Sequence, residues 1–136
     1  MKHRLNNRLN KKVSEIGFGA WQLGGQGTWG HMSNEDGIAL VKEAIKQGVT
    51  FFDTAPGYAS GNSELILGEA LVGVREQVVI NTKVGHSPEG EWEFTKEGIR
   101  NSVERSLKKL KTSYLDSVIL HNPDRYLLES NNDLYE

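Results

Sequence analysis

Cysteine is absent from the 136 residues, which excludes disulfide cross-links, thiol nucleophiles and cysteine-ligated metals. Net charge is almost missing as well. Sixteen Lys and Arg against eighteen Asp and Glu leave −2, so nucleic acid is given no electrostatic handle and is not expected as a partner. No apolar run reaches membrane-spanning length and no signal-peptide core is visible. The expectation is a soluble, cytoplasmic chain with no membrane partner. A strict dinucleotide fingerprint is lacking too: Gly17-Phe18-Gly19 opens one, but Gln22 stands at the third glycine position. These glycines are therefore read as permitting tight turns at a rim.

What is present is an alternation of short apolar runs with segments of helical period. Strands are expected near Ile16–Ala20, Thr50–Asp53, Val78–Lys83 and Ser117–His121. Between them, Ser33 is a plausible helix cap ahead of Ile38, Val41 and Ile45, with Gly48 ending the element. Leu65 to Val72 reads as a second helix, with Asn62 and Ser63 as its cap and Glu64 favourably near its N-terminus. From Thr95 a third helix shows Ile99, Val103, Leu107 and Leu110 on one face, and Lys108, Lys109 and Lys111 at its end read as solvated. Arg125 to Glu136 reads as the stub of a fourth. The basic stretch from Met1 to Lys12 reads as a small hairpin turning near Asn6-Asn7, rather than as an anion-binding arm.

Three of the strands end in ionisable residues of three different kinds: Asp53, Lys83 and His121. Tyr58 lies in the turn of Pro56-Gly57, just beyond the first of them. A parallel array of βα units puts all strand C-termini on one face, so these four side chains are expected to converge. A lone Asp at a strand end is usually a loop cap. Four such residues brought to one rim favour chemistry. Asp53 and His121 find no third ligand at suitable spacing, so no metal is expected.

Val13 to Gly24, Asp53 to Glu64, Asn81-Thr82-Lys83-Val84-Gly85 and Leu115 to His121 together resemble the aldo-keto reductase superfamily, in a branch like the bacterial general oxidoreductases and the channel β-subunits. The resemblance implies a (β/α)8 TIM barrel of ~250 residues, of which this chain supplies about the first four βα units. Residues 1–136 would then be the N-terminal portion of one barrel domain, with residues 1–13 a hairpin closing its bottom. It further implies reduction of aldehydes or ketones to alcohols with NADPH. Tyr58 would be the general acid/base, Lys83 and Asp53 its tuning pair, and His121 the orienter of a small-molecule carbonyl substrate. Free tyrosine ionises near pH ~10, and an adjacent ammonium favours the tyrosinate.

Ala20, Trp21 and Asp53 are the expected cofactor contacts. Trp21, Trp29 and Asn122 are the expected substrate contacts, and the loop from Gly85 to Phe94 could add to them. Trp29 is equally compatible with capping the barrel core. Since the family's phosphate contacts lie largely in its C-terminal half, weak NADPH binding and low activity are expected of this chain alone. Open edges at the first and fourth strands predict self-association. Two other readings stay open: a non-catalytic half-barrel serving as an interaction module, and a truncation product.

Overall fold

Two residues late, the opening hairpin forms. The computed structural model describes residues 1–25 and 30–129. In it β1 (His3–Asn6) and β2 (Lys11–Ser14) pair antiparallel, Asn6 opposite Lys11. The turn is not Asn6-Asn7, as the sequence suggested, but residues 7–10. The Asn6 side chain accepts the N–H groups of Arg8 and Leu9 at 3.0 and 3.1 Å, and Asn10 takes the left-handed conformation (φ 49°) that asparagine tolerates.

The hairpin docks on the N-terminal ends of the later strands. Ser14 and Thr50 exchange backbone-to-hydroxyl bonds of 2.8 and 3.0 Å. The Lys11 ammonium donates to the Val78 carbonyl at 3.2 Å and to Asp116 at 2.8 Å, and Arg75 donates to the other oxygen of Asp116 at 2.7 Å. Burial pushes the Asp116 carboxyl up, but Lys11, the Ile80 N–H and Arg75 outweigh it and hold the group below the usual carboxylate range.

Four parallel strands follow in simple order: β3 (Phe18–Gly19), β4 (Phe51–Asp53), β5 (Val79–Val84) and β6 (Ser117–Leu120). Each is shorter than or shifted from its expected span. Ile16, 64% exposed, lies outside the sheet, while Val84 extends β5 by one residue. Helices α1 (Asn34–Lys46), α2 (Asn62–Ala70), α3 (Lys96–Lys109) and α4 (Arg125–Glu129) follow β3, β4, β5 and β6 in turn. This is an α/β arc of four units, half of a (β/α)8 barrel arrangement. Trp29 and the stretch beyond Glu129 lie outside the described residues. No described helix is long and apolar enough to cross a membrane.

Strand alternation divides the sheet's faces. Phe52 and Ile80 point to the helices and join Val41, Ile66, Leu67, Leu71 and Leu110 in the buried core. Asp53, Asn81 and Lys83 belong to the opposite, inner face. β5 is buried along its whole length, whereas Val118 and Ile119 of β6 are 41% and 45% exposed, so β6 is open on both faces.

The helix ends hold two agreements and two corrections. Ser33 and Thr95 cap α1 and α3, their hydroxyls accepting the N–H groups of Asp36 and Gly98. At α2 neither Asn62 nor Ser63 caps. Gly61 does so in the left-handed conformation, because the Ser63 hydroxyl turns inward to Ala20 O (2.7 Å) and Thr54 Oγ1 (3.0 Å). On α3 the fully buried residues are Ser102, Ser106 and the capping Leu110, while Ile99, Val103 and Leu107 are only half-buried. The lysines after them are not a uniform solvated face either. Lys111 is ion-paired with Glu69, and the Lys109 ammonium reaches the space beside Gly61 that a Cβ would fill.

Candidate functional site

The turn after β4 is tight and left-handed. Ala55 accepts the Tyr58 N–H, and Ala59, Ser60 and Gly61 then take φ values of 49°, 53° and 89° in succession. Two non-glycine residues in that region cost about 1 kcal/mol or more each. The turn sets the half-buried Tyr58 ring over the C-terminal end of the sheet.

Period two along β5 brings Asn81 and Lys83 to one face beside Asp53. Lys83 Nζ donates to Asp53 Oδ1 at 2.6 Å and to the Thr54 carbonyl at 2.8 Å. Asn81 Nδ2 donates to the other Asp53 oxygen at 2.6 Å. The ammonium also lies 4.9 Å from the centre of the Tyr58 ring. Lys83 thus meets Tyr58 through the ring face, and its hydrogen bonds go to Asp53 and Thr54 rather than to the phenol. His121 completes the group with its ring 5.9 Å from that of Tyr58 and perpendicular to it. Its backbone N–H is held by the Val84 carbonyl at 2.9 Å. Burial lowers the His121 pKa, His86 and Lys83 push the same way, and Asp53 opposes them. The lowered value favours the neutral imidazole.

All four ionisable residues singled out in the sequence therefore meet on one rim. Of the others, Trp21 is 59% exposed after β3, and Asn122 follows His121 in a left-handed, exposed position (φ 50°). Ala20 is fully buried and its backbone is occupied: its N–H bonds Asp53 O and its carbonyl accepts from Leu23 and Ser63. Trp21 is the exposed member of that pair.

Sequence reasoning missed two neighbours. Asn81 could have been found from its two-residue spacing to Lys83. His86 had only its place three residues past Lys83 to mark it. Its ring stacks on His121 with centres 5.0 Å apart. Glu64, expected as a favourable charge at a helix N-terminus, is instead fully buried. One oxygen accepts from Thr82 Oγ1 at 2.8 Å. Burial raises its pKa, against the opposing pull of Ser106, Thr82, Lys109 and Arg105.

Comparison with known proteins adds the following. The family model described as the aldo/keto reductase family matches residues 15–131. L-galactose dehydrogenase of Arabidopsis thaliana is 40% identical over 116 residues, 83% of this chain and 35% of that protein. The NADH-specific methylglyoxal reductase of Escherichia coli K12 is 37% identical over 124 residues, 80% of this chain and 38% of that protein. A crystal structure of an aldo-keto reductase from Klebsiella pneumoniae in complex with NADPH superposes with a TM-score of 0.69 at 33% identity, covering 82% of this chain and 36% of that one. The chain thus spans little more than a third of the length of these relatives.

Proposed function

The chain belongs to the aldo/keto reductase family, and from that membership we infer that its Asp53–Tyr58–Lys83–His121 rim reduces small aldehydes or ketones to alcohols. The observation that carries this reading is the bonded Lys83–Asp53 pair beneath the Tyr58 ring, with His121 beside it. In this proposal Tyr58 gives its hydroxyl proton to the carbonyl oxygen. Lys83, 4.9 Å from the ring centre, stabilises the negative charge that develops on the phenol as the proton leaves. Asp53 compensates the buried ammonium and fixes it, and Asn81 holds Asp53 in turn. A neutral His121 orients the carbonyl oxygen by hydrogen bonding without adding a charge that would compete for the proton.

The hydride for the carbonyl carbon would come from a reduced nicotinamide cofactor, supplied by binding. We take this to be NADPH, as in the Klebsiella pneumoniae complex; the NADH-specific Escherichia coli relative marks the alternative. Trp21 and Asp53 are the residues of this chain that would hold its nicotinamide end, with Ala20 packed behind them, and Trp21 and Asn122 would border the substrate. Residues 1–136 would be the N-terminal part of a single barrel domain.

The test is Tyr58→Phe, assayed with NADPH and a simple aldehyde alongside a fluorescence titration of the cofactor. Turnover is expected to fall by a factor of about 100 or more, with cofactor affinity nearly unchanged. Retained turnover in the variant would remove Tyr58 from the role of proton donor. Because low activity is expected of the 136 residues alone, the assay is run in a version that carries the complete barrel, and no turnover there with any simple carbonyl would defeat the reading as a whole.

A further inference from the structure

Outside the four rim residues, the loop after β5 is built with unusual care around one side chain. Gly85 takes φ 100°, and a Cβ there would lie 2.0 Å from the Phe94 ring. The Glu93 N–H bonds the Gly85 carbonyl at 2.9 Å, the Ser87 N–H bonds the Glu91 carbonyl at 2.9 Å, and His86 pairs with Trp92 across the loop. The Ser87 hydroxyl accepts the N–H groups of Glu89 and Glu91 at 3.2 Å. The result is a small closed hairpin that packs the His86 ring against Trp92 at 4.7 Å and Phe94 at 5.7 Å, which also touch each other at 5.4 Å. On its remaining side that ring stacks on His121, centres 5.0 Å apart and planes 28° from parallel.

We propose that His86 is a positioning residue for His121, its stacked ring fixing the plane in which His121 faces Tyr58. The proposal rests on the reading of the rim as a carbonyl-reducing site. His121 needs such a device because its own bonds do not orient it. Its Nδ1 is buried without a partner, and Nε2 of His86 is buried without one as well. With no hydrogen bond at its buried nitrogen, the imidazole has its plane set by its rotamer and by the rings that touch it. It is held in a row, perpendicular to Tyr58 on one side and stacked on His86 on the other. The charged and titratable groups around it are Asp53, Lys83, Tyr58 and His86, and of these His86 and Lys83 both disfavour a charged His121. A stacked His86 therefore controls both the plane and the charge of its neighbour.

The variants that separate these effects are His86→Phe, which keeps a flat ring, and His86→Leu, which keeps volume without one. Nuclear Overhauser contacts between the His121 and Tyr58 rings are expected to persist in His86→Phe and to vanish in His86→Leu. The His121 ring titration is expected to move to higher pH in both, since a neighbour that lowers it is gone. In parallel assays of aldehyde reduction with NADPH, kcat should drop about ten-fold or more in His86→Leu, recover in His86→Phe, and leave KM little changed. If His86→Leu does not fold, as judged by its amide spectrum, His86→Gln takes its place. Undiminished His121–Tyr58 contacts in a folded, ringless variant would overturn the proposal, as would an unmoved titration in both variants. Inactivity of a wild type that carries the complete barrel, with the expected ring contacts intact, would instead sink the reductase reading alone.

Discussion

Glycine to alanine inside a helix normally stabilises, and at Gly68 the opposite is expected. Gly68 lies in α2, fully buried, where a Cβ would stand 2.4 Å from the Lys109 carbonyl oxygen and 2.9 Å from two backbone atoms of Leu110. The neighbour is main chain at the end of α3, which cannot rotate aside as a side chain would. Against this stands a gain of about 1 kcal/mol in helix propensity and up to ~0.8 kcal/mol for one more buried methyl group. Clearing the clash requires α2 and α3 to part by roughly 1 Å, and overpacking of that kind costs about 1–3 kcal/mol, commonly with lost contacts nearby. Because rigid main chain puts the cost at the upper end of that range, a net loss of up to about 1 kcal/mol is expected.

Gly37 in α1 is the control. It too is buried, but its Cβ would meet only Ile66 side-chain atoms, at 3.1 Å, and these can shift by a few tenths of an ångström. Gly37→Ala should therefore be neutral or stabilising by up to ~1 kcal/mol. Urea unfolding at unchanged m-value measures both, and their difference should be up to about 2 kcal/mol. If Gly68→Ala proves as stable as Gly37→Ala, the close approach of α2 to α3 is not as described.

Glu64→Gln should alter the pH dependence of stability. A folded pKa raised above the usual 4.5 means the native state binds the proton more tightly. Stability is then full below the unfolded value and falls as pH rises through the folded one. The variant should lose that decline and be more stable at pH 7, in thermal melts across the range; an unchanged slope refutes it. Asp116→Ala leaves Lys11 and Arg75 without their shared partner and should cost about 3 kcal/mol in urea unfolding, an effect under 1 kcal/mol being the contrary result. Because β6 exposes Val118 and Ile119 on its two faces, light scattering of the 136-residue chain is expected to find species larger than a monomer, and a monodisperse monomer would refute this.

The four units and the meeting of Asp53, Lys83 and His121 were legible because they depend on alternation alone. An apolar run that ends in an ionisable residue announces both a strand and its rim. Lys83 and Tyr58 were foreseen as neighbours, but not in their contact through the ring face, which follows from the left-handed turn at Ala59 and Ser60. Neither of those residues advertises a positive φ. Glu64 does lie in the first turn of α2, as expected, but its burial was not legible, because helix-terminal charge preferences assume solvent and here Thr82 and Ser106 stand where water would be. On α3 the apolar stripe pointed to Ile99, Val103 and Leu107. Only the fourth member of that stripe, Leu110, is fully buried, and Ser102 and Ser106 take the other buried positions, Ser106 beside Glu64 of α2.

The clamp of Lys11 and Arg75 on Asp116 also sets an order of events during synthesis. β1 and β2 are among the first residues made, and a hairpin can close within about 1–10 μs. Its anchor is 105 positions further along. Until Asp116 is made, Lys11 lacks the carboxylate that the folded state gives it. A nascent chain that stops short of β6 therefore holds its hairpin by the Ser14–Thr50 and Lys11–Val78 bonds but without the carboxylate anchor, and contacts of such long sequence separation are among the slowest to form. Of the described strands, β6 is the one that supplies the first pair with its carboxylate anchor.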